Sequence, residues 1–139
     1  MKKIIVFCVA FLATMSLWAS ETSVKNAYGV EIWYDFDNES NTASVTYKGF
    51  ISAYEYDDEY TGDVVIPSTV MYGGEEYNVT EIGYGAFQAC SSLTSITIPE
   101  SVISIGEFAF EECSSLISVT IPEGVTTIGR NAFYGNCSS

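Results

Sequence analysis

Apolar and polar positions in the second half of the chain follow one rhythm written twice. Residues 90–112 read CSSLTSITIPESVISIGEFAFEE, the next 23 read CSSLISVTIPEGVTTIGRNAFYG, and 14 positions are identical. The same period holds over a longer stretch. Val79, Val102 and Val125 are 23 residues apart, as are Ile82-Gly83, Ile105-Gly106 and Ile128-Gly129, Ala86-Phe87, Ala109-Phe110 and Ala132-Phe133, and the pair Pro99 and Pro122. Cys90 to Cys113 keeps the period, whereas Cys113 to Cys137 is 24, which reads as a one-residue insertion in YGN. An earlier unit shows in DVVIPSTV, where Ile66-Pro67 lies 32 residues before Ile98-Pro99 and implies a nine-residue insertion around MYGGEEYN.

Each column has a physical reading. Leu93, Ile96 and Ile98, repeated as Leu116, Val119 and Ile121, form an L-x-x-L-x-L pattern whose last two apolar positions alternate with threonine, as on a strand with one buried face. Proline ends the strand because it donates no ladder hydrogen bond. Val102 with Ile105, and Val125 with Ile128, send a second extended piece inward, and Gly106 and Gly129 are expected to form tight or left-handed corners. Phe110 and Phe133, each after an alanine, fill the middle. A single 23-residue unit buries too little to fold alone. Stacked units bury a continuous core, so the pattern predicts a solenoid with a parallel strand ladder.

Residues 21–62 lack the period. EIWYDFD and ASVTYKG, separated by NESNT, read as a hairpin, and VMYGGEEYNV as a second one turning at Gly73-Gly74. The expected organisation is therefore residues 1–19 as a leader, 20–62 as a β-rich amino-terminal cap, and 63–139 as repeats, in units of about 63–92, 93–115 and 116–139, the last incomplete. The sequence ends where another L-x-x-L-x-L strand would begin, with no polar closing repeat. That is expected of a fragment of a longer architecture or of a chain stacking end-on against another.

Composition narrows the function. MKKIIVFCVAFLATMSLWAS has two lysines, an apolar run from Ile4 to Ala13 and small residues near Ala19, the layout of a secretory signal and too short to span a membrane comfortably. The formal net charge is −13, and only Lys25, Lys48 and Arg130 follow the leader. Such a surface repels phosphate backbones and anionic membranes, so no nucleic-acid partner and no membrane insertion after leader removal are expected. Histidine is absent, which excludes Ser-His-Asp and Cys-His nucleophile systems and imidazole-built zinc sites. No catalytic residue, metal site or cofactor is expected.

Three groups remain as candidate chemistry. Cys90, Cys113 and Cys137 share a column; stacked strands lie about 4.8 Å apart, within the roughly 4.4–6.8 Å Cα range of a disulfide, yet stacked Cβ vectors run parallel. A ladder of buried thiols is the favoured reading and a disulfide the other. Asp35, Asp37 and Glu39 alternate in YDFDNESN, but Ser40 and Thr46 stand where a calcium loop needs glycine and glutamate, so they read as acids on a solvent face. AYEYDDEYTGD offers a cap surface of Tyr54, Tyr56, Tyr60, Asp57 and Asp58, as tyrosine is enriched at binding hot spots. The broadest candidate is the outward strand face, with Asp63 and Val65 in the first unit, Ser95 and Thr97 in the second, and Ser118 and Thr120 in the third.

SLTSITIPESVISIGEFAFEECSSL resembles the repeat of the BspA-like leucine-rich repeat proteins, and YTGDVVIPSTVMYGGEEYNVTEIGYGAF resembles the entry segment before those repeats. The resemblance covers about residues 30–139. It implies a right-handed leucine-rich repeat solenoid, mainly β with short helical turns after the Ala-Phe pair. It also implies a secreted or cell-surface protein without catalysis, adhering to a protein or glycan ligand on host or neighbouring cells. The second reading is a structural segment that associates end-on with another chain.

Overall fold

The computed structural model describes residues 22–47 and 60–136. The leader, Tyr54, Tyr56, Asp57, Asp58 and Cys137 lie outside these residues. Nine strands are present: β1 (Thr22–Lys25), β2 (Glu31–Asp37), β3 (Thr42–Thr46), β4 (Gly62–Val65), β5 (Thr69–Tyr72), β6 (Glu75–Ile82), β7 (Leu93–Thr97), β8 (Ser104–Ile105) and β9 (Thr127–Ile128). They form two sheets. One runs β1-β2-β3-β6-β8-β9, with β5 paired to β6; the other is β4-β7, which Val119 extends by a parallel bridge to Ile96.

The L-x-x-L-x-L pattern needs explaining, because positions three apart in a regular strand face opposite sides. The β4–β7 register supplies the reason. Gly62 pairs Leu93 and Asp63 pairs Ser95, leaving Thr94 as an extra residue. This bulge turns Leu93 and Ile96 to the same side, and both are buried. Ile98, Val102, Ile105, Phe110 and Leu116 are buried with them, as expected. Val119, Ile121, Val125 and Phe133 are partly buried against this core. Ile128 differs from expectation: it is 51% exposed, because its strand β9 pairs with β8 on one side and no further coil covers the other among the described residues.

Three rows of contacts tie the coils together. On the Ile-Gly side, the Gly106 amide donates to the Ile82 carbonyl (2.7 Å) and the Gly129 amide to Ile105 (2.8 Å). On the turn side, Gly85, Phe87 and Ala89 donate forward to the carbonyls of Glu107, Ala109 and Glu111, and Phe108, Phe110 and Glu112 repeat this to Arg130, Ala132 and Tyr134 (2.7–3.1 Å). Between these sides Phe87, Phe110 and Phe133 stack with ring centroids 5.2 Å apart and planes within 7°.

The glycine column has a different cause from the expected corner. Gly106 does not adopt positive φ; a Cβ placed on it would lie 2.7 Å from the Gly83 carbonyl carbon, so the residue is small because adjacent coils meet backbone to backbone there. Left-handed backbone falls instead at two other columns, Gly85, Phe108 and Asn131, and Ala89, Glu112 and Gly135 (φ between 57° and 76°). These bracket the Ala-Phe pair. The expected helical turns are a run of turns, Tyr84–Ala89 and its repeats, with the Ala-Phe pair inside them, and the described residues contain no helix.

The amino-terminal region folds as the expected hairpins. β2 and β3 pair antiparallel, and β5 and β6 turn through Gly73 (φ 61°) and Gly74 (φ 88°), as a primed turn requires. β3 then runs parallel to β6, with Val45 opposite Ile82, and the Gly83 amide donates to the Val45 carbonyl (2.8 Å). Val45 thus occupies the place in the ladder that Ile82 and Ile105 occupy for the later coils.

Candidate interaction surface

The outward face of the β4–β7 ladder is a small grid. Asp63 sits beside Ser95, and Val65 beside Thr97. The Ile96–Val119 bridge carries the same register onward, so Ser118 follows Ser95 and Thr120 follows Thr97. Asp63, Ser95, Thr97, Ser118 and Thr120 are exposed and Val65 is half-buried. Two further positions belong to the grid, Thr94 and Ile117, because the bulge directs two consecutive residues of L-x-x-L outward instead of one. Strict alternation leaves them out; the signal that reveals them is the three-residue gap between leucine positions. Ile117 is 92% exposed, an apolar side chain set among hydroxyls.

One polar cluster organises the first edge of this grid. Asp63 Oδ1 accepts hydrogen bonds from Ser95 Oγ (2.8 Å) and Thr94 Oγ1 (3.0 Å). Both reach it because the bulge brings both toward the same Asp63 position. These bonds, Ser95 first, hold the carboxyl below the ordinary aspartate range. The face therefore carries a fixed negative charge at one edge and an apolar side chain near the other, two strand spacings or about 10 Å away.

The cap residues separate differently. Tyr60 is 1% exposed and belongs to no open surface, which corrects its place among the cap-surface candidates. Its ring lies 4.7 Å from Phe87, at the head of the phenylalanine stack, and its hydroxyl accepts from the Trp33 amide (2.9 Å) and donates to the Thr46 carbonyl (3.0 Å). Burial pushes its ionisation far up. The phenol joins the stack to both strands of the β2–β3 hairpin. Asp37 acts within its own turn. Its carboxylate accepts from Ser40 Oγ (2.7 Å) and the Glu39 amide (2.8 Å), and these bonds lower its ionisation range. No group of three or more acidic or cysteine side chains is gathered for a metal among the described residues.

Cys90 and Cys113 are buried, and the Cys113 thiol donates to the Phe87 carbonyl (3.0 Å). In the next coil Asn136 Nδ2 donates to the Phe110 carbonyl (2.6 Å) across the same 26-residue separation. The counterpart of Cys113 is thus Asn136, and the period holds at 23 without the insertion that aligning Cys137 required. Among the described residues no helix is long and apolar enough to cross a membrane.

Comparison with known proteins agrees with this geometry. The family model described as BspA type leucine rich repeat region (6 copies) matches residues 75–139. A leucine-rich repeat protein from Bacteroides ovatus is 42% identical over 77% of this chain and 26% of its own, with a TM-score of 0.65. A leucine rich cell surface protein from Faecalibacterium prausnitzii is 30% identical over 84% of this chain and 28% of its own, with a TM-score of 0.61. A leucine-rich repeat protein from Bacteroides capillosus shares the fold at 24% identity, over 86% of this chain and 96% of its own (TM-score 0.51). The chain spans about a quarter of the length of the first two. No curated protein matches it.

Proposed function

With residues 75–139 belonging to the BspA-type leucine-rich repeats, a family of generally protein-binding modules, we propose that the molecule is an exported, surface-displayed adhesion module that binds a protein on a host or neighbouring cell. The observation that carries this reading is the rigid outward grid from Asp63 to Thr120. Its backbone is held by ladder bonds before any partner arrives, so little ordering free energy is lost on binding. Ile117 serves as the apolar anchor, ringed by the hydroxyls of Thr94, Ser95 and Ser118, and Asp63 fixes the register of the partner by charge. Recognition is by complementarity, without bond-making chemistry.

Export is supported by the leader sequence, and surface display by the printed description of the Faecalibacterium relative. Immobilised full-length chain, exposed to solubilised surface proteins of host epithelium and of co-resident bacteria, is the test. A retained protein that is lost at least tenfold with Ile117→Asp, and kept with the off-face substitution Glu123→Gln, supports the reading. Retention of nothing specific, or retention indifferent to Ile117→Asp, overturns it.

A further inference from the structure

The two ends of the solenoid are built differently. At the amino-terminal end, Tyr60 heads the aromatic stack, and Ile32, Tyr34 and Val45 of the hairpin are buried over the core. At the other end, Ile128 is 51% exposed and Val119, Ile121, Val125 and Phe133 are only partly covered. Asn136 Oδ1 is buried with no hydrogen-bond partner among the described residues.

The hydrogen-bonding groups of this open end are arranged by the ladder itself. On the turn side each coil donates forward, so Asn131, Phe133 and Gly135, which repeat Phe108, Phe110 and Glu112, present amide donors. On the Ile-Gly side each coil accepts from the one after it, so Ile128, which repeats Ile105, presents a carbonyl acceptor. A face with donors along one side and acceptors along the other is complementary to itself when a two-fold axis brings donor side over acceptor side. The opposite end cannot take this role, because the hairpin closes it.

We propose that the open coil end is a self-association surface, through which two copies of this chain join end to end about a two-fold axis and continue the coil–coil contact across the interface. The partner is a second copy because the contact to be completed is the one the molecule already makes between its own coils: backbone ladder on both sides and phenylalanine stacked in the middle. This goes beyond the adhesion reading and uses a different surface, leaving the grid of both copies free.

Sedimentation of the full-length chain from micromolar to millimolar concentration tests it. A reversible monomer–dimer equilibrium is expected, with the dissociation constant raised at least tenfold by Ile128→Asp and by Thr127→Asp, two exposed positions on the β9 edge where substitution spares the core. Ile117→Asp, on the grid, leaves the equilibrium unchanged. All variants carry the same apolar leader, so differences among them report the end face. A monomer throughout, a dimer indifferent to both β9 substitutions, or species growing without limit overturns the proposal.

Discussion

The cap and the coils occupy consecutive places in one sheet, yet they reach them by opposite routes. From β6 to β9 the ladder is made of parallel strands 23 residues apart, each delivered by an identical circuit. β3 reaches its place as the second arm of an antiparallel hairpin, 37 residues before its partner, since Val45 pairs with Ile82. Only the backbone of β3 imitates a coil. The phenylalanine that a coil would supply comes from elsewhere, as Tyr60, and its hydroxyl binds the hairpin that a phenylalanine could not hold. A solenoid end is thus defined by its hydrogen-bonding pattern and the shape of its stack, and side-chain periodicity is dispensable there.

Substitutions separate the two routes. The largest effect is expected from Phe87→Ala, which removes the ring between Tyr60 and Phe110 and uncouples cap from coils, at about 3–5 kcal/mol in denaturant midpoint analysis. Gly106→Ala forces a methyl into the Gly83 backbone and should cost about 2–3 kcal/mol, whereas alanine at Gly73, where a Cβ meets nothing, costs only the strain of its positive φ. Tyr60→Phe keeps the ring and leaves the Trp33 amide and Thr46 carbonyl without their phenol. About 1–3 kcal/mol is expected, with hydrogen exchange accelerated at Trp33 before any coil amide. Glu112→Gly acts in the other direction. It relieves a side chain at φ 57° on an exposed turn and should stabilise by about 1 kcal/mol in thermal unfolding.

The smallest effect is one of pH. Asp63 and Asp37 both have folded ionisation below the ordinary aspartate value, so their contribution is present above that value and disappears as pH falls through the folded one. Both are fully exposed, so the change is slight. Asp63→Asn should flatten it in the grid, and Asp37→Asn in the hairpin, when the unfolding midpoint is followed between pH 5 and pH 2.

The coils were legible because identical circuits leave identical residues at fixed spacing. Leu93, Ile96, Ile105 and Phe110 could be assigned inward from their columns alone. The glycine column was visible too, but its cause was not, since a glycine kept for close approach and one kept for positive φ are the same letter. The left-handed columns do leave a trace, with Gly85 and Asn131 around Phe108 and Gly135 below Glu112. Tyr60 was misassigned for a different reason. It stands at the edge of an acidic, tyrosine-rich run, and its burial depends on a long-range meeting with Phe87 that no local pattern encodes. Ile117 was missed because alternation was assumed across a strand that contains a bulge.

The opposed directions of the two hydrogen-bond columns have an electrical consequence. An α-helix aligns every peptide dipole and accumulates charge at its ends as it grows. Here the turn-side amides point forward along the axis and the Ile-Gly amides point back, so their dipoles offset one another coil by coil. A rod of this kind can lengthen without building up a field at its tips, which leaves the acidic side chains on its flanks to set how an approaching molecule is drawn in.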